Sequence, residues 1–223
     1  MDDLTTALTD AYQRRDWATV DQLERTLLTQ DVEREARLTT PGATAGAATW
    51  YATHGIPVFP CRPHTETING RDYGPKSPRT AHGFKDATTD HATIVTWWER
   101  WPDSIIGTPT GALFDVIDID SPTGLIAFHT LIDRGELDPP NIVAVAHTPR
   151  GRHYYIPPTG DGNTTKFIPD VDYRGAGGYV ILPPSQLTDG GTYRWQPSRP
   201  LNLDMLTAVT TIAEELDGQV IGQ

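Results

Sequence analysis

The chain has 223 residues, 37% of them hydrophobic, with 20 Gly, 19 Pro, one cysteine and a formal net charge of −11 at pH 7. That length allows one substantial core, or one core with a small appendage. No apolar run approaches a membrane span, the acidic start MDDLTTALTD lacks the apolar centre of a signal peptide, and a single cysteine excludes both an intramolecular disulfide framework and a cysteine-based zinc module. Together these features predict a protein of the reducing cytoplasm with no membrane partner. Net acidity argues against nucleic acid, but the charge is uneven: residues 1–40 and 201–223 carry −4 each, and residues 41–200 only −3. A local basic groove in the middle of the chain is compatible with that distribution.

Residues 2–38 read as helical, with Leu4, Leu8, Val20, Leu23, Leu27 and Leu28 at three- and four-residue spacings and Asp16 placed to cap a second helix after a break near Arg15. Thr39-Thr40-Pro41-Gly42 punctuates the chain, Thr44 to His54 reads as a third helix ended by Gly55, and Ile56 to Pro60 as a short strand. Residues 61–86 read as a polar loop rich in Pro and Gly, too long for an ordinary connector. Asp90 is a suitable cap for a helix carrying Trp97, Trp98 and Trp101 and stopped by Pro102. A Thr108-Pro109-Thr110-Gly111 turn precedes the apolar run Leu113 to Ile117, and a helix is expected from about Pro122 to Arg134. Ile142 to Ala146, Arg152 to Ile156 and Tyr179 to Leu182 read as short strands, and Leu201 to Leu216 as a closing helix. Strands mixed with helices without a regular βαβ repeat predict an α+β fold. The expected division is a helical extension over 1–40, a central domain over 41–200 and a tail over 201–223.

The apolar run ends in Asp118-Ile119-Asp120. On an extended strand these two carboxylates share a face, roughly 6–7 Å apart along the backbone. Side by side they repel unless a cation lies between them, and hard divalent ions such as Mg²⁺ or Mn²⁺ take such oxygen ligands. Three further runs stand out: Gly74-Pro75-Lys76-Ser77-Pro78-Arg79 with Gly83-Phe84-Lys85-Asp86-Ala87-Thr88; Thr148-Pro149-Arg150-Gly151-Arg152-His153-Tyr154-Tyr155; and Asp172-Tyr173-Arg174-Gly175-Ala176-Gly177-Gly178-Tyr179 running on to Pro183-Pro184-Ser185.

In that order and at that spacing, these motifs resemble the bifunctional DNA primase/polymerase (prim-pol) domain of the archaeo-eukaryotic primase superfamily, common on plasmids and phages. The similarity runs from about Ala47 to Pro197. It implies a primase-type α+β core with an RRM-like sheet, and template-directed nucleotidyl transfer that makes or extends primers from NTPs or dNTPs on single-stranded DNA. It assigns Asp118, Asp120 and Asp172 to a site for two Mg²⁺ or Mn²⁺ ions, and His153 to contact with the incoming nucleotide's phosphates. Arg174, two residues after Asp172, falls on the same face if the segment is extended and is expected to contact phosphate, as are Lys76 and Arg79 from the long loop; Ser185 is a further nucleotide contact. Relatives of this kind are often fused to a helicase, so the resemblance implies either a separate replicative helicase as partner or a chain that is one part of such a fusion.

Plainer readings stand beside these. Asp170 competes with Asp172 for the third ligand position, and the family pattern favours Asp172. Asp115 faces away from the acidic pair and reads as structural. Cys61 and His64 have no second ligand pair, so no zinc is expected. The three tryptophans read first as core and second as base-stacking platforms. Gly175, Gly177 and Gly178 suit equally a tight turn and a close approach to sugar or phosphate. Two other function classes remain: a replication-initiation module that binds nucleic acid without catalysis, and a metal-dependent phosphohydrolase with no template dependence.

Overall fold

A computed structural model describes residues 3–35, 43–196, 199 and 201. The Thr39–Gly42 break and nearly all of the predicted closing helix lie outside the described residues. Two helices open the chain, α1 (Asp3–Gln13) and α2 (Trp17–Glu35), separated at Arg15, whose φ is +55°. Asp16 caps α2 as its position predicts, accepting from the Thr19 N–H at 3.2 Å and the Thr19 hydroxyl at 2.7 Å. Then follow α3 (Ala43–Thr53), α4 (His91–Arg100), capped by Asp90 through the Thr93 N–H at 2.8 Å, and α5 (Pro122–Asp133), capped by Ser121 through the Gly124 N–H at 3.0 Å.

The strands are β1 (Phe59–Cys61), β2 (Glu66–Ile68), β3 (Arg71–Tyr73), β4 (Ile105–Pro109), β5 (Asp115–Ile119), β6 (Ala144–His147), β7 (Arg152–Ile156), β8 (Thr164–Ile168), β9 (Val171–Arg174), β10 (Tyr179–Leu182) and β11 (Arg194–Trp195). Six form one sheet in the order β11-β6-β7-β5-β9-β8, three form a second in the order β1-β4-β10, and every pairing between them is antiparallel. Helices and antiparallel sheets make this a mixed α+β fold.

Alternation along each strand divides the large sheet into two faces. Val116, Ala144, Ala146 and Tyr155 point toward Ile106, Val180 and Leu182 of the small sheet, with Tyr51 of α3 and Ile94 and Trp98 of α4 closing that core. Ile117, Ile119, Val145, Tyr154 and Val171 point the other way, onto Leu125 and Phe128 of α5. Trp98 is thus a core residue. A third cluster, containing Phe59, Cys61, Ile105 and Ile181, covers the far side of the small sheet, where burial pushes the Cys61 thiol up.

Several elements depart from the sequence expectation, among them β8 and β11, which no expected strand covers. The long polar loop contains the β2–β3 hairpin, turned at Asn69-Gly70 with φ of +52° and +75°, a backbone that an Asn-Gly pair adopts readily. The expected Thr108–Gly111 turn begins inside a strand: β4 is the centre of the small sheet, its apolar stretch too short to announce itself. Among the described residues, no helix is long and apolar enough to cross a membrane.

Candidate active site

Strand register builds this site. Asp118 of β5 lies directly opposite His153 of β7 on one side and Asp172 of β9 on the other. Residues paired across antiparallel strands share a face, so the three stand in a row, with Asp120 one residue past the end of β5 on the same side. Ligand oxygens of Asp118, Asp120 and Asp172 all lie within 4.8 Å of one another. Asp170, the competing acid, sits in the β8–β9 turn at φ +60° and accepts from the Ser121 hydroxyl at 2.7 Å. Asp115 faces the other side, where it accepts from the Thr159 N–H at 2.8 Å and from the Tyr173 hydroxyl.

Three carboxylates this close repel by roughly 4 kcal/mol per pair at an effective dielectric near 20. Neighbouring cations and donors offset the repulsion. Arg174 reaches Asp118 at 3.2 Å and Asp172 at 2.6 Å, and Arg150 reaches Asp120 at 2.8 Å. The His153 Nε2 lies 3.3 Å from Asp118, and the Lys166 backbone N–H donates to Asp172 at 2.6 Å. Burial works against ionisation of Asp118, but His153 and Arg174 outweigh it and hold the carboxyl down at about 2. His153 Nδ1 is buried without a hydrogen-bond partner.

Asp118, Asp120, Arg150, His153 and Arg174 line a cleft of about 290 Å³, joined by Lys76, Thr148, Tyr179 and Tyr193, while Asp172, held by Arg174, stands beside the lining rather than in it. Lys76, at φ +69°, has its pKa lowered by burial and by Arg150, against the pull of Asp118 and Asp120. Phe84 and Tyr179 stack with centroids 5.9 Å apart on the cleft wall. Gly177 and Gly178 also line it; a Cβ on Gly178 would fall 2.4 Å from the Asn163 side-chain oxygen, and one on Gly175 2.2 Å from the Asp161 carbonyl. At Gly175 and Gly178, close packing between neighbouring loops demands the glycine.

Two expected contacts are elsewhere. Arg79 is held by Glu66 at 2.5 Å and Asp103 at 3.0 Å, with its guanidinium over the Trp101 ring. Ser185 is buried, and its hydroxyl accepts from the Ile106 N–H at 3.0 Å. Neither lines the cleft. Conversely, Arg150, Tyr179 and Tyr193 line it without having been singled out. Arg150 was within reach of sequence reasoning, because pairing Asp118 with His153 brings the turn before His153 level with Asp120. Tyr193 had no local signal.

An all-oxygen donor set of three clustered carboxylates, two of them lining the cleft and one of these held ionised far below neutral pH, suits a hard divalent cation. Comparison with known proteins gives a concordant result. Residues 48–208 match the family model described as bifunctional DNA primase/polymerase, N-terminal. No curated protein matches the chain.

Proposed function

This chain belongs to the bifunctional DNA primase/polymerase family, and from that premise we propose that its cleft carries out template-directed nucleotidyl transfer with two Mg²⁺ or Mn²⁺ ions. The observation that carries the reading is the row His153–Asp118–Asp172 across β7, β5 and β9. Asp118, Asp120 and Asp172 are the proposed metal ligands. Ions held there would activate a primer 3′-hydroxyl and screen the triphosphate.

The chain's own residues supply the rest. The primer oxygen attacks the α-phosphorus, the bond to the β-phosphate's bridging oxygen breaks, and pyrophosphate leaves. Developing negative charge on the phosphates needs fixed donors, and Arg174, Arg150 and Lys76 stand on the cleft rim for that role. His153 offers a ring N–H from a buried position against the same floor. The stacked Phe84 and Tyr179 form an apolar wall suited to a base or sugar. Arg79 and Ser185 act from outside the cleft, holding the hairpin loop and strand β4. In this reading the large sheet is the RRM-like sheet of a primase-type core spanning 41–200, residues 1–40 are a helical extension and residues 201–223 a tail, and the protein serves plasmid or phage replication in a cytoplasm.

The test is primer extension on single-stranded DNA with dNTPs or NTPs and Mn²⁺ or Mg²⁺, beside an Asp118→Ala/Asp120→Ala variant. Templated products from the wild type alone support the proposal. Metal-dependent nucleotide hydrolysis that ignores the template would identify a phosphohydrolase instead. DNA binding by a folded protein with no incorporation under any pairing would leave the non-catalytic replication module.

A further inference from the structure

The family match begins at residue 48, yet the helices before it reach the candidate active site from behind. His153 faces the cleft, so its neighbour Arg152 faces the opposite side of the sheet, toward α2. There its guanidinium meets Glu24 and Asp21, each at 2.6 Å, and the three side chains are only 2–8% exposed. The second Glu24 oxygen accepts from the Tyr12 hydroxyl and from Gln196 at 3.2 Å, so the acid is saturated. One residue along the helix, Arg25 bonds Asp21 at 3.0 Å and donates to the Arg150 carbonyl at 2.9 Å. The α1–α2 junction is fixed independently on α5, where Arg15 and Trp17 bond Asp133 at 2.7 and 3.3 Å and Trp17 stacks on His129.

Helix α2 therefore grips both residues that flank Gly151. On its other side that turn is pressed against β5: a Cβ on Gly151 would fall 1.7 Å from the Ile119 carbonyl oxygen. The clamped turn carries Thr148 and Arg150 into the cleft and delivers His153 to its place beside Asp118. A buried arginine satisfied by two carboxylates fixes its strand in one position, because any slip leaves charges unpaired.

We propose that α1–α2 is a positioning element of the active site, with Asp21, Glu24 and Arg25 holding the β6–β7 turn so that Arg150 and His153 meet the nucleotide in register. This rests on the nucleotidyl-transfer reading of the cleft. Arg25 is the sharpest probe, since its side chain is 37% exposed and its loss leaves no buried charge unpaired.

In the full chain, Arg25→Ala is expected to lower kcat for primer extension by about ten- to a hundredfold, with little change in the unfolding midpoint. Amide hydrogen exchange across residues 148–153 should quicken, and Arg25→Lys, which keeps a donor for the Arg150 carbonyl, should recover most of the loss. Glu24→Gln should do the same more severely; if it does not fold, Arg25→Ala decides alone. In an active wild type, the proposal is overturned if Arg25→Ala leaves either kcat or the exchange of 148–153 unchanged. If the wild type itself extends no primer, the functional reading fails separately, and exchange at 148–153 alone judges the clamp.

Discussion

Strand β7 separates two charge clusters that obey opposite rules. Behind it, Arg152, Arg25, Asp21 and Glu24 pair two cations with two anions, and the Arg152, Asp21 and Glu24 side chains are almost wholly buried. In front, Asp118, Asp120 and Asp172 are gathered although they repel, and Arg174 and Arg150 neutralise them from a cleft open to solvent. The rear cluster is closed, so it has nothing left to bind and can only hold structure. The front cluster displays carboxylates and guanidinium groups side by side, complementary to a ligand that carries a cation and phosphates together. Matched, buried charge marks an anchor; gathered like charge beside a cavity marks a site.

The largest expected effect breaks the front cluster. Asp118→Asn keeps the shape and one acceptor but loses the charge between His153 and Asp172. Primer extension should fall on the order of 10³-fold, while the protein stays folded, because Arg174 keeps Asp172. Breaking the rear cluster should cost stability first, and the register of the cleft with it. Arg152→Met leaves Glu24 buried without its cation and Asp21 with Arg25 alone, a change that costs about 3–5 kcal/mol. Urea denaturation would read it. Adding Asp21→Leu and Glu24→Leu to Arg152→Met should return most of the lost stability, since an apolar set of similar volume avoids burying charge.

Acid separates the two clusters by pH. His147 is paired with Arg152 across β6 and β7, and its pKa is pushed down to about 3, first by burial and then by Arg152 and Arg25. His129 is pushed down to about 4, again mainly by burial. Both are depressed below the ordinary value of 6.5, so the unfolded chain binds these protons first. Their contribution to stability is full above pH 6.5 and drains as pH falls toward the folded values, by up to about 1.4 kcal/mol per pH unit for each histidine. Asp118, depressed to about 2, gives way only below its ordinary 3.8. Between pH 6.5 and 4, then, the urea midpoint should decline through the rear face, and His147→Gln should flatten the decline. An equal slope in that variant would show that His147 is not a buried neutral ring.

How much of this was legible in the sequence follows the range of each signal. Asp118 with Asp120, and Asp172 with Arg174, could be read because strand alternation acts over two residues; the ordered motifs then joined the pairs. Asn69-Gly70 announced a hairpin that the polar composition around it obscured. Strand β4 was hidden by Gly107, which is required because a Cβ there would meet the Phe59 ring at 2.5 Å. The rear anchor was illegible. Arg152 looks like an ordinary polar interruption of a strand, and its partners lie 128 and 131 residues away. Nothing in local propensity encodes a pairing at that distance.

Lys76 and Arg79 give the smallest test and the most direct one of this limit. They share one loop, three residues apart, and sequence alone treats them alike. The structure separates them. Lys76 lines the cleft within the field of Asp118 and Asp120, while Arg79 is committed to Glu66 and Asp103. On the proposed reading, removing the lysine deletes a charge available to substrate phosphates, so Lys76→Ala should raise the nucleotide KM about tenfold, a loss of roughly 1.4 kcal/mol. Arg79→Ala should change KM less than about twofold. Its cost should appear in stability instead, at about 1–2 kcal/mol, because Glu66 would keep only Arg62 at 3.0 Å as a close arginine partner. Steady-state kinetics on both variants, with thermal unfolding alongside, decide the matter. A larger KM effect from Arg79 would mean that substrate recruits the hairpin loop away from Asp103, and the boundary between anchor and site would then run through that loop rather than along β7.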